Sequence, residues 1–117
     1  MKVVKINEVH AEKRTGGIFT GTVEAKPLVD ESIGAQDLNL TVISFPPGIR
    51  NKLHAHSHDQ VLYILSGKGI VATEKEEITA EPGMVFLIPR GEKHWHGAIS
   101  DSSFSHISIL RPGKTDY

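Results

Sequence analysis

The chain contains no cysteine. This excludes a disulfide framework, a thiolate nucleophile, an iron–sulfur cluster and a cysteine-ligated zinc site. Neither sign of charge is in excess. Thirteen Lys and Arg stand against fourteen Asp and Glu, for a formal net charge of −1 with His neutral. The electrostatic footprint of a nucleic-acid binder is therefore missing, and no nucleic-acid partner is expected. Long hydrophobic runs are also lacking. Met1 to His10 holds only short apolar pairs broken by Lys5, Asn7 and Glu8. That is neither a secretory signal nor a membrane span, which needs about 18 or more apolar residues. The expected address is the cytoplasm, with no membrane partner. Aromatic residues are few, at 6%, but a hydrophobic fraction of 38% is enough for an ordinary core and argues against disorder. A length of 117 residues fits a single domain spanning 1–117. The one residue type present in unusual number is histidine, with seven.

Proline and glycine punctuate the chain at short intervals, at Gly16-Gly17, Pro46-Pro47-Gly48, Gly67-Lys68-Gly69, Pro82-Gly83, Pro89-Arg90-Gly91 and Pro112-Gly113. Between them, β-branched runs predict strands near Ile18–Glu24, Leu38–Phe45, Val61–Leu65, Gly69–Thr73, Met84–Ile88, Gly97–Ser100 and Phe104–Leu110. Glu74–Glu77 reads as a polar tip between two strands. In Glu81-Pro82-Gly83-Met84, Pro presets φ and Gly supplies a positive φ, as a type II turn requires, and Pro47-Gly48 can do the same. No stretch carries a long apolar pattern at helical spacing. The expected class is all-β, a sandwich or small barrel.

Three histidines fall in His54-Ala55-His56-Ser57-His58 and two in His94-Trp95-His96. On a strand, residues two apart share a face, so His54 and His56 point the same way, as do His94 and His96. Two such pairs facing one cavity could hold a metal, because neutral imidazole is a good ligand for several transition ions.

The spacing carries a resemblance. Gly48, His54, His56, Gln60 and Gly67 stand at the intervals of the first cupin motif (48–67), with Gln60 where Glu is usual. Gly83, Pro89, Gly91, His94 and Ala98 stand at those of the second (83–98), with Ala98 where Asn is usual. The resemblance covers about residues 40 to 110. It implies a single-domain double-stranded β-helix, a small jelly-roll barrel, with one divalent transition metal held by His54, His56, Gln60 and His94. Gln is a neutral ligand, so an ion held by it and three neutral His keeps its full charge. That favours Lewis acidity over redox cycling. His96 and His106 are candidates for a general base; either could instead orient a ligand or simply pack in the core. His58, in the turn before Gln60, is expected to face solvent. Asp59 and Arg50 are candidate rim charges, and His10 carries no signal.

A closer likeness extends along Phe19-Thr20-Gly21-Thr22-Val23, Phe45-Pro46-Pro47-Gly48, Gly91 to Ala98, and Ser105-His106-Ile107-Ser108-Ile109. These stretches resemble small bacterial manganese cupins, some of them hydroxynitrile lyases and others linked with carboxymuconolactone decarboxylases. That family uses His-Thr-His-Pro-x-Gly-Gln around its first motif, from which Ala55, Ser57 and Asp59 depart. The resemblance implies Mn(II), with Fe, Ni, Co and Zn also suited to such donors. It further implies lyase chemistry on a small-molecule substrate, with His106 taking a hydroxyl proton beside His96, and a homodimer formed through sheet edges. Two competing functions are a dioxygenase acting on an enol or flavonol and a non-catalytic metal or small-ligand binding module.

Overall fold

The computed structural model describes residues 1–117. Eleven strands account for its regular structure: β1 (Glu12–Arg14), β2 (Val23–Val29), β3 (Asn39–Phe45), β4 (Ala55–His56), β5 (Gln60–Gly67), β6 (Gly69–Thr73), β7 (Glu77–Ala80), β8 (Val85–Ile88), β9 (His94–Ala98), β10 (Phe104–Leu110) and β11 (Thr115–Asp116). The only helical pieces are two three-residue 3-10 turns, Ile6–Glu8 and Glu31–Ile33. All pairings are antiparallel. One sheet runs β1-β2-β3-β10-β5-β8, a second runs β7-β6-β9, and β4 pairs with β11. His54 bridges His94 through a reciprocal pair of backbone hydrogen bonds, each 2.9 Å, so β4 continues the second sheet beyond β9. The result is the all-β, two-sheet jelly roll expected, with its sheets facing each other and left open at their edges.

The turns follow their chemistry. Gly48 and Gly83 have φ of 77° and 90°, and the bonds Ile49 N–H to Pro46 O and Met84 N–H to Glu81 O close both type II turns. Two strands lie elsewhere than the sequence suggests. Ile18–Thr22 is not a sheet strand. It leaves the Gly16-Gly17 turn and runs against residues 50–52, with Thr20 N–H bonded to Arg50 O and Lys52 N–H to Ile18 O. The strand begins instead at Val23 and passes through Pro27, which the ladder absorbs at an irregularity between Pro27 and Val29. The strand placed at Gly97–Ser100 lies at His94–Ala98, because pairing with β6 starts at His94. The short β1, β4, β7 and β11 complete the fold.

Period-two alternation then divides the inner face of the large sheet. Ala25, Ile43, Phe45, Leu62, Ile64 and Phe104 join Val71 and Ala80 of the other sheet in one buried apolar cluster. Further along the same strands, Gln60, His106 and Ser108 also point inward. Phe45 lies where the two zones meet, its ring centroid 6.1 Å from Phe104 and 5.5 Å from His106. The apolar end packs the domain and the polar end opens as a cavity.

Candidate metal centre

The cavity encloses about 230 Å³ between the sheets. His54, His56, Gln60, His94, His96 and His106 are all buried, none more than 9% exposed. Each arrives by its backbone. His54 and His56 flank Ala55 at β4, His94 and His96 flank Trp95 on β9, Gln60 opens β5 and His106 lies in the middle of β10. Six polar side chains converge from four strands, as inward-facing parity requires.

They form two groups. In the first, one ring nitrogen from each of His54, His56 and His94 lies within 4.8 Å of the others. His54 Nδ1 donates to Lys52 O at 2.6 Å, and His94 Nδ1 donates to Glu92 O at 2.9 Å. A carbonyl can only accept, so both neutral rings carry their proton on Nδ1 and leave Nε2 as a bare lone pair. His56 Nδ1 meets Thr115 Oγ1 at 2.9 Å. The Nε2 atoms of His54 and His56 are buried without a hydrogen-bond partner. His94 Nε2 faces Gln60 Oε1 at 3.1 Å, while Gln60 Nε2 donates to Ser108 Oγ at 2.8 Å. A bare nitrogen and an amide oxygen held at that distance are two acceptors with no proton between them.

Buried acceptors facing one another are costly unless something positive joins them. Three imidazole nitrogens and one amide oxygen fit a divalent transition ion, and no carboxylate lines the cavity. Burial pushes the pKa of His54 and of His56 down from 6.5 to about 4 and lowers that of His94 as well. The rings therefore present neutral lone pairs at neutral pH.

In the second group, His106 Nε2 and His96 Nδ1 lie 2.9 Å apart and share one proton. Burial lowers the pKa of His106 to about 3 and that of His96 well below 6.5, with the charges of His106 and of the neighbouring trio adding to the effect on His96. His106 Nδ1 is buried and unpartnered.

Three polar partners carry no signal in the sequence. Asn51, 1% exposed, accepts from the His96 backbone N–H at 2.7 Å through Oδ1. Ser108 holds Gln60, and Thr115 holds His56. His58 is not turned to solvent as expected. Both its ring nitrogens are covered, and its ring lies parallel to that of His56 with centroids 6.4 Å apart, because the Gly113–Asp116 segment folds over this stretch. Asp59 accepts from the Arg90 N–H, and Arg50 stacks over Trp95 at 4.0 Å. His10 is exposed and does not line the cavity.

Two facing antiparallel sheets with an inward histidine cluster at one end define a small jelly-roll protein with a candidate metal centre. The chain belongs to the cupin family: residues 41–110, more than half its length, match the cupin domain. It is similar to an (R)-mandelonitrile lyase of Granulicella tundricola, with 34% identity over 112 residues that cover 93% of this chain and 83% of that one. Among solved structures it resembles a cupin-like protein of Thermotoga maritima at 31% identity and TM-score 0.83, covering 90% of this chain and 82% of that one. The polyketide cyclase RemF of Streptomyces resistomycificus shares the fold at TM-score 0.87 and 23% identity, covering 99% and 84% of the two chains. No helix is long and apolar enough to cross a membrane.

Proposed function

We propose that this chain is a metal-dependent lyase of hydroxynitrile-lyase type, with Mn(II) held by His54, His56, His94 and Gln60. The observation that carries the reading is the pairing of an acceptor-only cluster with a separate histidine dyad in one cavity. The relative named for mandelonitrile lyase supports the choice of substrate class. When bound, such an ion supplies Lewis acidity toward a substrate oxygen without being neutralised by its ligands. The dyad supplies the base. A neutral His106–His96 pair keeps one proton between the rings, and with that proton on His106 Nε2 a lone pair is left at His106 Nδ1, the ring nitrogen without a partner. That lone pair takes the hydroxyl proton of a cyanohydrin. As the carbonyl forms, the bond to the nitrile carbon breaks and its electron pair leaves with cyanide. The dyad then returns the proton, so the products are an aldehyde and hydrogen cyanide. Ile43, Phe45 and Leu110 give the cavity an apolar wall for the rest of the substrate.

The test uses protein purified without a histidine tag. One equivalent of transition metal by elemental analysis, and cyanide release from mandelonitrile that chelation abolishes and Mn(II) restores, is the expected result. Metal-independent release, or none with any added divalent ion, overturns the reading.

The same protein is proposed to act as a homodimer. Strand β8 ends the large sheet and leaves Val85 and Leu87 at 60% and 65% exposure beside half-exposed Tyr63, an apolar edge suited to a second copy. A monomer by light scattering at micromolar concentration overturns this.

A further inference from the structure

The three imidazoles of the proposed metal site are not held alike. His54 and His94 are tied to the carbonyls of Lys52 and Glu92, each two residues earlier in the chain. Those ties form as soon as the local backbone does, and they admit only one tautomer. His56 is tied to Thr115, 59 residues away. Unlike a carbonyl, a threonine hydroxyl can also donate, so it holds the Nδ1–H tautomer of His56 only in the orientation in which it accepts. Only the Nδ1–H form leaves Nε2 free to bind a cation.

The segment that brings Thr115 to His56 is seated closely. β11 pairs with β4 in a register that sets Thr115 opposite His56 and Asp116 opposite Ala55. Ser57 N–H donates to Lys114 O at 3.0 Å, and Lys114 N–H donates to Ser57 Oγ at 3.1 Å. Gly113 lies so near the His58 ring that a β-carbon there would collide with it. Ser57 is one of the positions where this chain departs from the pattern it resembles. The proline of that pattern has neither the N–H nor the hydroxyl that Ser57 uses here. β4 is thus clasped between β9, through the His54–His94 bridge, and β11.

We propose that β11 is a latch on the metal site, with Thr115 a positioning residue that holds His56 with Nδ1 protonated and Nε2 aimed at the ion. The proposal rests on the metal reading above. Partners of metal-bound histidines are commonly worth ~10–100-fold in affinity, and His56 is the one imidazole of the three whose partner comes from a distant part of the chain.

The experiment measures Mn(II) affinity of the metal-free full chain by competition with a fluorescent chelator. It compares wild type, Thr115→Val and Thr115→Ser, and records the thermal midpoint of each metal-free protein. Valine keeps the shape and the backbone pairing but removes the hydroxyl. Thr115→Val is expected to bind Mn(II) ~10–100-fold more weakly with an unchanged metal-free midpoint, and Thr115→Ser to bind as wild type does. The ¹⁵N shifts of the His56 ring should show the Nδ1–H form in wild type and Thr115→Ser and its loss in Thr115→Val. Equal affinity in all three overturns the latch, as does serine binding no better than valine. A weakened Thr115→Val whose metal-free midpoint falls in step also overturns it, since the role is then only structural. Wild type that takes up no Mn(II) overturns the metal reading itself, a result distinct from the failure of the latch alone.

Discussion

The cavity holds two sets of histidines that share burial and type but differ in what their ring nitrogens meet. In the trio of His54, His56 and His94, every Nδ1 has an oxygen partner outside the cluster, carbonyl partners leave Nε2 bare on His54 and His94, and one ring nitrogen from each residue lies within 4.8 Å of the others. In the dyad of His96 and His106, nitrogen meets nitrogen and a proton is held between them. The same side chain is thus prepared for two tasks by its neighbours alone. An oxygen behind the ring makes the front a cation ligand, and a second ring makes a proton carrier. The contrast also sets what each variant should lose.

The largest effect is expected from the trio. His94→Ala removes the ring that faces Gln60 and should abolish metal retention, a greater loss than the ~10–100-fold typical of a ligand's partner. Elemental analysis checks it, and a variant that still carries a full equivalent of metal would erase the distinction between the groups. Next comes the dyad. His106→Ala should leave metal content unchanged while turnover of a cyanohydrin falls ~10²–10⁴-fold, the usual share of a general base. Metal lost together with turnover would merge the two sets into one.

Much of this contrast was readable along the chain. Strand parity alone brings His54 with His56 and His94 with His96, and the intervals from Gly48 to Gly67 and from Gly83 to Ala98 carry the resemblance that adds Gln60. The turns at Pro47-Gly48 and Pro82-Gly83 were legible because their chemistry is local. What could not be read is whatever depends on distant pairing. Asn51, Ser108 and Thr115 are ordinary polar residues in sequence, and each meets its partner 45 to 59 positions away. His58 looked exposed because nothing in its own segment announces that β11 covers it. Ile18–Thr22 has the composition of a strand, but its hydrogen bonds go to residues 50–52 rather than to the sheet.

Acidity should probe both sets in the metal-free protein. An unfolded chain protonates its histidines near pH 6.5, whereas the folded one keeps His54 and His56 neutral down to about 4 and His106 down to about 3. Between those values the unfolded state binds more protons, so stability is full above about pH 6.5 and is lost as pH falls. At ~1.4 kcal/mol per unit of pKa difference, His54 alone costs about 3 kcal/mol by pH 4. Thermal unfolding in chelator should give a midpoint flat above pH 7 and falling steadily from 6.5 to 4. His54→Phe should make that slope shallower, the other buried histidines keeping the remainder. A midpoint that does not move across this range would mean that the rings are solvated rather than buried neutral.

The smallest effect is expected where the two sets touch. Asn51 lies three residues before His54 in the segment leading to β4, and its Oδ1 accepts the backbone N–H of His96, while its own N–H is bonded to His96 O. It joins the strand that begins the trio to the strand that carries half the dyad. Asn51→Ala leaves the His96 N–H buried without a partner, at a cost of about 1–3 kcal/mol in unfolding free energy, measurable by denaturant titration. His54 and His94 keep their own carbonyl partners, so metal affinity should change little. His96 loses the acceptor of its backbone N–H and the Asn51 amide that lies 3.4 Å from its ring nitrogens, so turnover should fall more than affinity does. A variant in which Mn(II) binding weakens as much as turnover would place Asn51 with the trio instead, and the line between ligand and base, which runs through β9 between His94 and His96, would no longer separate their partners.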